Sequence, residues 1–335
     1  MGIIGSHLQP FVARARGKFV LTAAAAMLCV PAVAVAQTAS VSPGFYVEAE
    51  GQRVFGASDF EAGFVPTSLM GLTGPQAKLD EGDGWGGAAA LGYTWSSGWS
   101  AAVRYRRLEA DDRGGPYDPG IMAFAPSIPF VPGGIPFGVL DATTEVDSQA
   151  LFVDVEVGKD LSVSGGRLQL FGGVSYASIE RDVAIKSDDC GCIPFALRMG
   201  NDFHGVGPKI GFRGGLPLNG TISVVGGGSV AALFGTSKFT SRLDDPLFPP
   251  NSFKDSNDRT VAALDAHAGL AIGVGFGTLT LGYRIDAVIG ALDTDQRVSA
   301  LVASTGYPQI GDRHDDFVEH GPFARFTLPI ASGND

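Results

Sequence analysis

Cysteine is nearly missing from this chain, with three residues in 335. Cys29 lies in an apolar N-terminal run, and Cys190 and Cys192 sit together in "DDCGC". A bridge between the last two would close a very small, strained ring. With Asp188 and Asp189 they would offer a soft metal only a meagre ligand set. The plainer reading is a loop staple or an incidental pair, and no metal or cofactor is expected. Positive charge is also scarce: 24 Lys and Arg stand against 35 Asp and Glu. A polyanion repels such a chain, which excludes nucleic acid as a partner. Beyond the N-terminus no apolar run is long enough for a spanning helix. The longest candidate, residues 121–140, is broken by Pro126, Pro129, Pro132 and Pro136. No serine elbow, phosphate loop or metal-binding histidine pair is present, so an enzyme is not expected.

What is present starts with an export signal. Arg14, Arg16 and Lys18 precede an apolar stretch over residues 19–36 that ends in Ala34-Val35-Ala36. Residues 1–36 read as a signal peptide rather than an anchor helix, because Pro31 interrupts the run. The mature chain, residues 37–335, then reads as one domain. Its net charge moves from −11 to −14, since three bases and no acids leave. An exported chain with 48 glycines, 45% apolar residues and no spanning helix has the composition of an outer-membrane barrel.

The pattern agrees. In "GYTWSSGWSAAVRYRR" (92–107) Tyr93, Trp95, Trp99, Ala101, Val103 and Tyr105 share one parity, while Thr94, Ser100, Ala102, Arg104 and Arg106 share the other. Successive strand side chains point to opposite faces, so this is a hairpin with one apolar and one polar wall. Gly98 falls where a three-residue loop needs a left-handed residue. Trp95 and Trp99 flank that turn, where an interfacial aromatic girdle would lie. The alternation returns in segments beginning near residues 45, 148, 167, 202, 262, 278 and 319. One segment, "TISVVGGGSVAALFG", is apolar on both faces, with Val225 and Leu233 on the inner one.

Together these predict a transmembrane antiparallel β-barrel of about ten strands, with eight to twelve admissible, each of about 9–14 residues. Short connections fall near 96–98, 159–166, 217–220 and 275–277. Long ones fall near 56–83, 109–146, 183–201, 237–258 and 291–313. Short periplasmic turns and long extracellular loops are the rule for such barrels.

The inner parity collects charge. Its acids are Glu48, Glu50, Asp154, Glu156, Asp265, Asp286 and Glu319. Its bases are Arg104, Arg106, Lys209, Arg213, Arg284 and Arg325, with His267 as a further titrating group. They are expected either to line a narrow pore or to pair across the lumen and fill it. Asp265 and His267, two apart on one face, are the one arrangement that suits a hydrolase.

"DVEVGKDL" (154–161), "LFGGVSYASIE" (170–180), "FHGVGPKIGFRGGLPL" (203–218) and "HGPFARF" (320–326) carry a family likeness. The chain resembles the pore-forming outer membrane proteins related to the Legionella major outer membrane protein, from Gly44 to Ile330. Phe203, Gly205, Gly207, Pro208 and Gly211 are the most specific part. The resemblance implies a porin-like barrel passing ions or small solutes passively, and no catalytic residues. Two departures are the tail Ser332-Gly333-Asn334-Asp335 in place of a terminal aromatic, and the Cys190/Cys192 pair. The alternative reading is a structural or adhesive barrel with a filled lumen and active loops. Expected partners are outer-membrane lipids and lipopolysaccharide; the acidic segments "KLDEGDG" and "RLDDP" could bridge to its phosphates through calcium or magnesium, but solvated acidic loops are the commoner case. The loop at 121–140 suits a packed mouth or a plug, and no segment signals an oligomeric state.

Overall fold

A β-strand cannot stand alone in lipid, because its N–H and C=O groups have no water to bond. The chain solves this by closure. In a computed structural model, which describes residues 43–56, 82–117, 142–163, 165–187, 195–245, 248–293 and 314–331, every element is a strand. Ten run in order: β1 (Gly44–Gly56), β2 (Asp83–Thr94), β3 (Trp99–Tyr117), β4 (Ala142–Val163) and β5 (Gly166–Ser187) come first. β6 (Phe195–Pro217), β7 (Ile222–Asp245), β8 (Phe248–Gly273), β9 (Thr278–Asp293) and β10 (His314–Ala331) follow. Each pairs antiparallel with its sequence neighbours, and β1 pairs with β10 from Gly44↔Ala331 to Gly56↔Glu319, closing the barrel. The signal segment, Cys190, Cys192 and residues 121–140 lie outside the described residues.

The short turns near 96–98, 217–220 and 275–277 fall where the sequence places them, while the connection expected at 159–166 is mostly strand, with β4 running to Val163 and β5 starting at Gly166. Trp95 and Trp99 exchange a 2.8 Å backbone bond across residues 96–98, and Gly98 takes φ 77°. Gly275, in the turn between β8 and β9, takes φ 73°.

The strands differ from expectation in length, running from 12 to 26 residues. Two of the expected long loops, 183–201 and 237–258, are mostly strand: β5 and β6 flank residues 188–194, and β7 and β8 flank residues 246–247. The reason is physical. From the sequence pattern, a strand ends where its outward face stops being apolar. Pairing instead continues past the bilayer, where an outward polar residue is as comfortable as an apolar one.

The outward face has a sharp belt. Val103, Val155, Leu170, Ile210 and Leu281 are 47–64% exposed, the reverse of a soluble core. Above it runs a polar rim of cross-strand pairs. Arg107 donates to Gln149 (3.2 Å), Ser178 meets His204 (3.1 Å) and Thr236 donates to Asp258 (2.8 Å). Arg53 pairs with Asp83 and lies 4.8 Å over the Trp85 ring. Below, Trp95 and Trp99 stand about half exposed beside their turn, with the Lys159 ammonium 5.4 Å over the Trp99 ring. Still higher on β5, past the belt, burial and then Asp202, Asp147 and Glu180 raise Asp182 above the ordinary carboxylate range.

A lysine on this belt must enter hydrocarbon. Val155→Lys is expected to cost about 2–4 kcal/mol and Gln149→Lys at the rim about 0–1, read as shifts in urea-dependent folding into lipid vesicles.

Candidate functional site in the barrel lumen

The inner parity carries every charged residue the sequence assigned to it. Asp154, Glu156, Lys209, His267, Arg284, Asp286 and Glu319 are at most 8% exposed. Glu48, Glu50, Arg104, Arg106, Arg213, Asp265 and Arg325 keep side-chain exposures of 3–23%. Register explains the gathering. Arg104 faces Asp154 across β3 and β4, and Asp265 faces Asp286 across β8 and β9.

The charges sort into two networks. In the first, Arg104 binds Glu48 and reaches Glu156 at 3.2 Å. Glu156 also holds Arg213 and Lys209 (3.3 Å), and Lys209 reaches on to Asp154 at 2.6 Å. Ser175 donates a further bond to Asp154 at 2.6 Å. In the second, Arg106 spans Asp265 (3.0 Å) and Asp286 (2.9 Å). Arg284 joins Asp265 (3.2 Å) to Glu50, which also takes Arg325 at 2.6 Å. Each network holds three acids and three bases. Between them lies a cavity of about 40 Å³, space for roughly three waters.

Aromatic rings fill what the charges leave. The Arg213 guanidinium lies 4.0 Å over Phe171 and that of Arg106 4.7 Å over Phe152. Arg284 and Arg325 both lie against Phe323. Glycines give these rings floor space. A Cβ built on Gly211 would stand 2.4 Å from the Phe171 ring, and one on Gly205 2.6 Å from the Phe203 ring. That accounts for two glycines of the family-like stretch at 203–211.

Asp265 and His267 do not make a catalytic pair in this geometry. Asp265 is held by Arg106 and Arg284. His267 packs edge-on to Phe323, with ring centroids 6.1 Å apart, and its Nδ1 has no partner among the described residues.

Above the networks the lumen changes character. On β3, β4, β8 and β9 the next inward residues are apolar: Arg106 gives way to Leu108, Asp154 to Phe152, Asp265 to Ala263 and Val261, and Asp286 to Val288, while on β1 Gln52 comes before Val54. With Val54, Ile179, Phe203, Leu233 and Phe317 they form one buried cluster across the lumen. Leu233 explains why β7 reads apolar on both faces. Sequence reasoning missed this layer, although continuing the inner parity past each charged residue finds it. It also missed Arg181, 2% exposed and in phase with Ser175 on β5.

A closed barrel with an apolar outer belt, a polar rim and a charged interior defines an outer-membrane β-barrel protein. The chain belongs to the Legionella pneumophila major outer membrane protein family, whose model matches residues 50–329. No curated protein matches the chain. Among solved structures it is similar to the outer membrane protease OmpT of Escherichia coli, at 9% identity and TM-score 0.48, covering 88% of this chain and 100% of that one. A major outer membrane protein from Thermus thermophilus matches at 14% identity and TM-score 0.34, covering 85% and 100%. The Pseudomonas putida toluene transporter TodX matches at 8% identity and TM-score 0.37, covering 87% and 91%.

Glu156, 2% exposed, has three cations around it. Glu156→Ala takes from Arg213 its only carboxylate and from Arg104 and Lys209 their second, and is expected to cost about 3–5 kcal/mol. Arg113→Ala, which breaks the exposed pair with Glu145, costs under about 1 kcal/mol. Unfolding in detergent by urea compares the two.

Proposed function

We propose that this protein is a narrow, gated channel for passive passage of ions and small solutes across the outer membrane. The observation that carries the reading is the set of two ion networks around a water-sized cavity. Stability does not require them. Well-packed apolar side chains of similar volume serve a buried site as well or better. A membrane barrel that keeps twelve paired charges in its interior has a use for them. Ionisable groups at membrane depth are, by default, parts of a pathway. Opposed acids and bases would give passing ions a transverse field, and the apolar layer above would gate by excluding water. The resemblance to pore-forming outer membrane proteins points the same way.

A second reading has its own support. The apolar layer is built from strand side chains, not from a removable loop, which favours a filled barrel that acts through its extracellular end.

Single-channel recording on the refolded protein separates them. Wild type is expected to open rarely and in small steps of constant size. Phe203→Ser/Leu233→Ser should open far more often, since a polar layer wets. Arg104→Ala/Arg106→Ala should shift selectivity towards cations. Folded barrels that stay silent in every variant would leave the filled-lumen reading.

A further inference from the structure

One inner acid lies outside the two networks. The two networks consume six acids and six bases, and Glu319 belongs to neither. It is 0% exposed, and neither carboxylate oxygen has a hydrogen-bond partner among the described residues. Directly opposite it on β9 stands Asp286, 1% exposed. Asp286 has Arg106 as counter-ion at 2.9 Å, yet neither of its oxygens makes a well-formed hydrogen bond.

The surrounding charges are committed elsewhere. From β9, Arg284 serves Glu50 and Asp265; from β3, Arg106 serves Asp265 and Asp286. β10 contributes Arg325, bound to Glu50, and β8 contributes Asp265, a further negative group. β1 offers Glu50, and above it only Gln52 and Val54 point inward. Arg181 of β5 is the remaining cation whose field reaches Glu319.

A buried carboxylate without partners costs several kcal/mol and takes up a proton instead. Side chains directly opposite on antiparallel strands have Cβ atoms about 4.5–5.5 Å apart, within reach of a shared hydrogen bond. We propose that Asp286 and Glu319 form a proton-binding carboxyl pair that holds one proton in the sealed lumen. Its place gives it an effect. One inward step above them on their own strands are Val288 and Phe317, both in the apolar layer. A neutral carboxyl is tolerated beside that layer; a second negative charge would draw water into it. The sealed lumen is therefore an acid-favoured state.

The sign follows from linkage. The folded barrel keeps a proton that the unfolded chain releases in the ordinary glutamate range, so stability falls as pH rises above that range, until the folded pair also gives the proton up. Thermal unfolding across pH, with wild type beside Glu319→Gln, reads this. As pH rises, the wild-type unfolding equilibrium constant should increase by up to about tenfold per pH unit relative to that of Glu319→Gln. Infrared spectra of the folded wild type at neutral pH should show a protonated carboxyl band that the variant lacks. Parallel stability curves would overturn the proposal. So would a wild-type spectrum without the band, which decides the matter even where the variant does not refold. Neither measurement reads a current, so the pair stands or falls apart from the channel reading.

Discussion

Closure of the sheet through β1 and β10 is the constraint on which everything else depends. In hydrocarbon an unpaired strand edge leaves a row of backbone groups without partners. The Gly44↔Ala331 to Gly56↔Glu319 pairing removes that edge. Once the sheet is closed, each strand has one face for lipid and one for a confined interior. Alternation is then forced, and a single-residue slip would turn Arg104 and Arg106 into hydrocarbon. The register that closes the backbone therefore also collects the charges.

Collected charges pose a second problem, because a ten-stranded interior lies near the size that side chains alone can fill. The many ionisable groups in that space, twelve of them in the two networks, must pair or be hydrated. The structure pairs them in two balanced sets and sets guanidinium planes on the Phe171, Phe152 and Phe323 rings. Bulky rings fit only because glycines lie beside them, as at Gly211 and Gly205. Glycine here provides space. Charge, aromatic and glycine are thus one packing solution, and changing any of them disturbs the other two.

Much of this was legible in the sequence, for a definite reason. A period-two pattern shows which side of the sheet a residue faces, so strand count, inner charges and the Gly98 turn followed from order alone. Pairing did not. Closure sets β1 beside β10 and one strand from β9, so residues that meet in the lumen are far apart in sequence; Glu50 and Arg284 are separated by 234 positions. Composition announced near balance, while the division into two sets with Glu319 left out needed coordinates. The apolar layer escaped because Leu108, Phe152 and Val261 read individually as ordinary strand residues. Strand ends escaped because lipid contact, which the reading tracked, stops before hydrogen bonding does.

The lumen is divided along its length: charges in one part, an apolar layer towards the extracellular side. A barrel kept only for rigidity would have no need of this order, since apolar packing throughout costs less desolvation. A barrel kept permanently open would have no place for Phe203, Leu233 and Phe317 in its bore, all fully buried. Charges next to an apolar seal meet both objections at once. On the channel reading proposed above, the networks keep a hydrated path ready, and the seal decides whether water joins it to the outside. The weakest points of such a seal are where an unpartnered polar group touches it, and Glu319, one inward step from Phe317, is one of them.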